Sequence, residues 1–376
     1  MAGLQCKNRM SYGEISERIH RATLGKRFPL DGMIELTMRC NLACRPCYCA
    51  KDPTRPELDT GQVLALIDQI VQAGCLWLAF TGGEILLRQD FLEIYRHAKE
   101  KGLLVSLLTN GTLLDEKTVR CFATYKPLQV EITLYGMTEE TYVKVTGVAG
   151  MLKKALEGVR LLKDYAIPFN LKTCVTKDNV SEIGKIQEFC SGIGADYRFD
   201  AQIHARIDGV HAPHQYRLSP REVAELDIID QGRAGEWKRF CKQFWGPIPF
   251  DSYFYCAALV YSFHIDAYGR LLACVLSRAV HEDLLEEPFS ACWERLYQRL
   301  YAIKARKDFA CRGCKLAYLC DNCPGWAEVE HGSWDMPAEY LCELTKQRER
   351  LFRSHGIIDH TQEGTNEEKI SASQSA

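Results

Sequence analysis

Three cysteines stand together in Cys40-Asn-Leu-Ala-Cys44-Arg-Pro-Cys47, directly after a short apolar run. Thiolates are soft ligands suited to zinc and to iron–sulfur clusters. A tetrahedral zinc site takes four ligands, so a loop with three suits it poorly. Three thiolates can instead hold three irons of a four-iron four-sulfur cube and leave the fourth iron open to a small molecule. Half a zinc site is the plainer alternative. A second set runs through Cys256, Cys274, Cys311, Cys314, Cys320, Cys323 and Cys342, with two C-x2-C pairs among them. That regularity marks metal binding rather than scattered core thiols, and zinc is again the rival because C-x2-C pairs also build zinc ribbons.

These residues need elements to hold them. Strand-like runs at 32–38, 75–81, 103–109, 128–135, 169–176 and 196–203 alternate with helical periodicity at 60–73, 89–101, 115–124, 139–165 and 180–192. The alternation predicts an α/β fold with a parallel sheet, either a partial barrel or a doubly wound sheet. Function in such folds gathers at strand C-termini. The first cysteine loop follows the first run, Gly82-Gly83-Glu84 the second, Asn110-Gly111 the third and Gly136 the fourth. Two glycines permit close backbone approach, and a carboxylate beside them can accept from an ammonium group.

Composition bounds the rest. At 376 residues, 47% hydrophobic and 26% charged, the chain is neither collagenous, coiled-coil nor disordered. A net charge of -2 leaves no basic field, so a nucleic-acid partner is not expected. No apolar run is long enough to span a bilayer and no secretory signal opens the chain, which predicts a cytoplasmic protein without membrane attachment. In a reducing compartment 18 cysteines point to metal rather than disulfides. The eight outside the two sets (Cys6, Cys49, Cys75, Cys121, Cys174, Cys190, Cys241 and Cys292) read mostly as small core residues.

With its C-x3-C-x2-C loop and Gly82-Gly83-Glu84 at the next strand end, the chain resembles the radical SAM superfamily. The order of the second cysteine set resembles the C-terminal SPASM extension of peptide-modifying members. The resemblance implies a partial (β/α)6 TIM-like barrel with a cysteine-rich SPASM extension. It divides the chain into an N-terminal extension at 1–31, the barrel at 32–205, a connector at 206–255, the SPASM domain at 256–359 and a disordered tail at 360–376. It implies that Cys40, Cys44 and Cys47 hold a 4Fe-4S cluster and that Gly82, Gly83 and Glu84 hold the amino group of S-adenosylmethionine (SAM). Tyr48 is implied near the adenine, where Pro46 replaces the family's usual aromatic residue. Asn110, Thr133 and Glu131 are implied as further SAM contacts, the last two toward the ribose. Ile85 stands where relatives commonly have Pro. For two auxiliary 4Fe-4S clusters, Cys256, Cys274 and Cys323 are implied for the first, and Cys311, Cys314, Cys320 and Cys342 for the second. An eighth ligand is missing: Cys241, Cys292, a carboxylate or an open iron could fill the place. Cys320-x2-Cys323 also departs from the family's C-x3-C.

The implied activity is reductive cleavage of SAM to a 5'-deoxyadenosyl radical that takes hydrogen from a peptide substrate, an oxidoreductase reaction of ribosomal-peptide maturation that installs a thioether or carbon–carbon crosslink. Formylglycine formation of the anaerobic sulfatase-maturase type is the enzymatic alternative, and a non-catalytic iron–sulfur electron-transfer protein the non-enzymatic one. Expected partners are the peptide, an electron donor such as flavodoxin or ferredoxin, and a separate leader-peptide-binding protein, because residues 1–31 are too short for a fused leader-binding domain. Asp200 ranks first as acid or base, with His204 behind it, and an ordinary ion-paired strand end is the competing reading for both.

Overall fold

The computed structural model describes residues 12–23, 26–52, 54–247 and 251–358. Cys6 and the tail predicted to be disordered at 360–376 lie outside them. Helix α1 (Tyr12–Thr23) precedes β1 (Asp31–Thr37), α2 (Thr60–Gln72), β2 (Trp77–Gly82), α3 (Phe91–Glu100), β3 (Leu104–Thr109), α4 (Glu116–Thr124) and β4 (Gln129–Thr133). Then follow α5 (Glu139–Thr146), α6 (Met151–Asp164), β5 (Phe169–Cys174), α7 (Ile183–Ile193), β6 (Asp196–Asp200), α8 (Pro220–Ile229) and α9 (Gln231–Gln243). The C-terminal part adds β7 (Ser262–Ile265), β8 (Arg270–Leu272), β9 (Glu282–Asp283), α10 (Phe289–Tyr301), α11 (Pro324–His331) and α12 (Glu339–Ser354).

The sheet runs β6-β5-β4-β3-β2-β1-β7-β8-β9. Strands β1 to β6 are all parallel, as the alternation predicts, and lie in sequential order with no reversal, so the open sheet is wound as a partial barrel rather than as a doubly wound sheet. Strand β7 pairs parallel with β1 while β8 and β9 continue antiparallel, so the C-terminal segment extends the barrel's own sheet past residue 256.

Side-chain alternation sets the two faces. Ile34 and Leu36 of β1 join the core cluster with Val63, Leu66, Ile67 and Ile70 of α2, whose spacing forms one helical stripe. Glu35 and Thr37 turn to the opposite face, into the barrel lumen. Asp59 starts α2 with a capping box, its carboxylate accepting from Gln62 N while the Gln62 side chain takes the Asp59 N–H. The single helix predicted over 139–165 is two helices: Gly147 ends α5 at φ 72° and Gly150 starts α6 at φ 77°, left-handed conformations that glycine adopts without Cβ strain.

A buried ion network fixes the C-terminal helices. Arg348 of α12, 1% exposed, donates to Asp227 of α8 at 2.9 Å, to the Leu319 carbonyl at 3.0 Å and to Asp321 at 2.5 Å, and lies over Trp237 of α9. Asp321 sits between Cys320 and Cys323, so this network holds the backbone that carries both thiols. Removing one member of a buried pair leaves the other charge uncompensated. Arg348→Met is expected to cost about 3 kcal/mol in urea unfolding, and Arg348→Met/Asp227→Leu to cost less than the single change.

Candidate active site

The cysteine loop leaves the end of β1 and is pressed against the turn after β2. Gly83 N donates to Thr37 O at 2.7 Å and Glu84 N to Arg39 O at 2.8 Å. A Cβ on Gly82 would meet Thr37 O at 2.2 Å, and one on Gly83 would meet Arg39 O at 2.2 Å; Gly82 also stands at φ 139°. Both positions therefore require glycine. Behind the turn, Asn110 Nδ2 donates to Asn41 Oδ1 at 2.9 Å and to Cys40 Sγ at 3.9 Å. Asn110-Gly111 thus does more than turn the chain: it braces the first cysteine.

A cavity of about 380 Å³ opens at these strand ends. Its wall contains Cys40, Cys44 and Cys47 with Tyr48, then Gly82, Gly83, Asn110 and Thr133, and on the far side Asp200 and His204. Two residues implied as SAM contacts are not in that wall. Glu84 is fully buried, and its carboxylate accepts from Thr109 Oγ1 at 2.7 Å, Asn110 N at 2.8 Å and Leu86 N at 3.0 Å. It is a strut joining the ends of β2 and β3, and burial raises its pKa despite those donors. Glu131 is also buried, paired with Lys172 at 2.7 Å and Arg198 at 2.6 Å. Lys172 and Arg198 do line the cavity; of the two, only Lys172 has no signal in the strand-end reading that brings Arg198 to the mouth beside Asp200. The available signal was strand alternation, which puts Lys172 and Cys174 on one face of β5. Cys174 was read as a core residue; it lines the cavity instead, opposite Asp200 in the β5–β6 register.

Core thiols donate to carbonyls, Cys75 to Trp77 O at 3.2 Å and Cys292 to Asp283 O and Glu287 O, while Arg295 also donates to Cys292 at 3.9 Å. Four sulfurs of the two constellations accept N–H. Leu42 N donates to Cys40 at 3.4 Å, Asn322 N to Cys320 at 3.4 Å, Trp326 N to Cys323 at 3.3 Å and Asn322 Nδ2 to Cys311 at 3.7 Å. An N–H aimed at sulfur favours the thiolate, the form that binds metal. Cys49, by contrast, donates to Gly82 O. The Cys49 thiol beside Cys47 brings the Cys47 pKa down to about 7.

The C-terminal thiols divide into two groups by proximity. Burial, then the charges of Cys274 and Cys256, push the Cys323 thiol up to about 12. Burial, then Cys320, Cys342 and Cys314, push Cys311 up to about 12. A Cβ on Gly325 would stand 3.2 Å from Cys274 Sγ, so glycine lets α11 approach that sulfur. Cys241 packs with Leu319, Phe352 and Ile358 and Cys292 faces backbone carbonyls, which places both apart from the first trio. Among the described residues no group of three His, Cys, Asp or Glu side chains is placed to hold a metal ion. Zinc, with Zn–S bonds of about 2.3 Å, needs sulfurs converging on one point, whereas thiols at the corners of a cube stand farther apart. The donor type, the N–H bonds and the glycine cradle fit iron–sulfur clusters and SAM.

The chain also packs the extension onto the cavity. Arg278, four residues past Cys274, reaches into the lumen to Glu35 at 2.5 Å, and His264 lies 3.2 Å from the same oxygen. Burial raises the Glu35 pKa, but its contacts with His264 and Arg278 outweigh it and bring the group down to about 2. Gln202, in the cavity wall, donates to Asp321 at 2.6 Å. Gly83→Ala is expected to weaken SAM binding at least about tenfold by equilibrium dialysis of the cluster-loaded protein, with iron at the C-terminal sites unchanged, since the added Cβ must displace the Arg39 carbonyl. Cys75→Ala and Cys292→Ala are expected to keep wild-type iron content, while a Cys40/Cys44/Cys47→Ala triple variant loses one cluster's share.

Comparison with known proteins agrees with this geometry. The radical SAM superfamily pattern matches residues 34–190. An AdoMet-dependent heme synthase of Methanosarcina barkeri is 25% identical over 80% of this chain and 92% of its own. A PqqA peptide cyclase of Granulibacter bethesdensis is 28% identical over 44% of this chain, which spans 45% of that relative. The fold resembles Streptococcus suis SuiB bound to S-adenosylmethionine, with a TM-score of 0.65 at 16% identity over 91% of this chain and 83% of that one. SuiB bound to precursor peptide SuiA gives a TM-score of 0.66 at 17% identity, over 89% and 82%. No described helix is long and apolar enough to cross a membrane. The matched stretch, residues 34–190, carries the cysteine loop and the glycine cradle and is a radical SAM domain.

Proposed function

We propose that this enzyme modifies a peptide, installing a thioether or carbon–carbon crosslink in a ribosomally made precursor. The observation that carries the reading is that both cysteine regions reach one residue of the cavity wall. Tyr48, next to Cys47, and Trp326, three residues past Cys323, both pack on His204, with ring centroids 5.7 and 5.4 Å away. A crosslink removes two hydrogens from the substrate, one as an atom and one as a proton with an electron left over. An electron acceptor close to the SAM cavity suits that stoichiometry. The peptide cyclase relative and the peptide-bound SuiB structure support a peptide substrate.

Cys40, Cys44 and Cys47 would hold the SAM cluster. Cys256, Cys274 and Cys323 would hold one auxiliary cluster with a ligand place left over, and Cys311, Cys314, Cys320 and Cys342 a second. Bound SAM and its cluster supply a carbon-centred adenosyl radical able to take hydrogen from an unactivated C–H bond. The chain's own work is positional: Gly82 and Gly83 let SAM lie against backbone, Thr133 and Asn110 offer polar contacts, and Lys172 and Arg198 present cations to a carboxylate. Flavodoxin or ferredoxin would supply the electron, and a separate protein would hold the leader peptide.

The M. barkeri heme synthase spans nearly the same length as this chain, which favours porphyrin chemistry as the second reading; formylglycine formation is a third. Anaerobically reconstituted protein with SAM and dithionite is expected to release 5'-deoxyadenosine, and the triple cysteine variant none. Deuterium passing into that product from a Cys-containing precursor peptide supports the peptide reading. Transfer from an iron-coproporphyrin alone would replace it, and no cleavage with any substrate would favour electron transfer.

A further inference from the structure

We propose that His204 is the proton acceptor of the reaction, taking the proton that a substrate thiol or hydroxyl sheds as the new bond forms. The inference rests on the peptide-modifying reading of the same cavity. His204 follows β6 and lies in the cavity wall, between an aromatic residue of the cysteine loop and one of α11. Its Nδ1 stands 2.7 Å from the Ala205 carbonyl, an acceptor, so Nδ1 carries the hydrogen and Nε2 keeps its lone pair. No protein group hydrogen-bonds Nε2 among the described residues. The ring is held on two faces, its tautomer is set by backbone, and its basic nitrogen is left for a molecule in the cavity.

The charged groups around the imidazole come from three elements: Asp200 of β6, Glu330 of α11 and Arg217 before α8. Glu330 is occupied by Arg217 and by His214 at 3.0 Å. Asp200 lines the same cavity, but one carboxylate oxygen already accepts Gln202 N at 2.9 Å and the residue is exposed. Burial, the largest influence on His204, lowers its pKa and keeps the ring neutral and able to accept. The step moves one proton: the substrate S–H or O–H bond breaks, an N–H bond forms at Nε2, and no electron changes hands.

Two measurements on the cluster-loaded enzyme test this. Diethyl pyrocarbonate, which acylates unprotonated imidazole, is mapped by mass spectrometry at pH 7.5 and 5.5 with N-acetylhistidine as internal standard. An imidazole of ordinary pKa keeps about a tenth of its reactivity at pH 5.5; His204 is expected to keep a larger share, and SAM is expected to block it. His204 left unlabelled, or labelled equally with SAM present, overturns the proposal whatever the substrate proves to be. In the second, His204→Gln is given the precursor peptide. The variant is expected to form 5'-deoxyadenosine, while crosslinked product per 5'-deoxyadenosine falls at least about a hundredfold and the acid limb of its pH profile disappears. An unchanged ratio, or the full loss in Asp200→Asn instead, overturns it. Wild-type enzyme that labels at His204 but modifies no peptide sinks the peptide reading separately.

Discussion

Two backbone hydrogen bonds, Gly83 N to Thr37 O and Glu84 N to Arg39 O, hold the cysteine loop against the Gly-Gly turn, and the site is built outward from them. They exist because neither glycine has a Cβ. With the loop pinned to the end of β1 and the turn to the end of β2, the three thiols face a cavity whose floor is backbone. Glu84 then ties the turn to β3 through Thr109 and Asn110. Its carboxylate is spent on the scaffold, and what it adds to the turn is shape.

The same economy of position recurs in the extension. Arg348 and Asp227 hold the Cys320–Cys323 backbone from outside, and Gln202 reaches Asp321 from the cavity side. Arg278 returns from the Cys274 loop to Glu35 inside the lumen. These are charged or amide groups buried in satisfied pairs, where a partner lost is costly. Sites far apart in sequence are thereby held in one frame, with His204 packed where the two cysteine regions meet.

Sulfur hydrogen bonding adds detail that spacing lacks. Burial pushes the Cys323 thiol up, and the Trp326 N–H at the start of α11 pulls against it. An N–H so aimed favours the thiolate, the form that a metal takes.

Periodicity and local spacing carry the parallel α/β order, the cysteine loop after β1, the Gly82-Gly83 turn and the second cysteine set. Less legible were the residues whose partners lie across the sheet. Glu84 and Glu131, implied as SAM contacts, bond Thr109 and Asn110 and pair with Lys172 and Arg198. Cys174 looked like core and lines the cavity. The helix at 139–165 broke where two glycines turn left-handed. Only the tertiary structure decided that β7 continues the barrel sheet, that Arg278 enters the lumen, and that Tyr48 and Trp326 meet on His204. Such contacts join residues hundreds of positions apart, and no local pattern in a single chain encodes which of two buried polar groups will find the other.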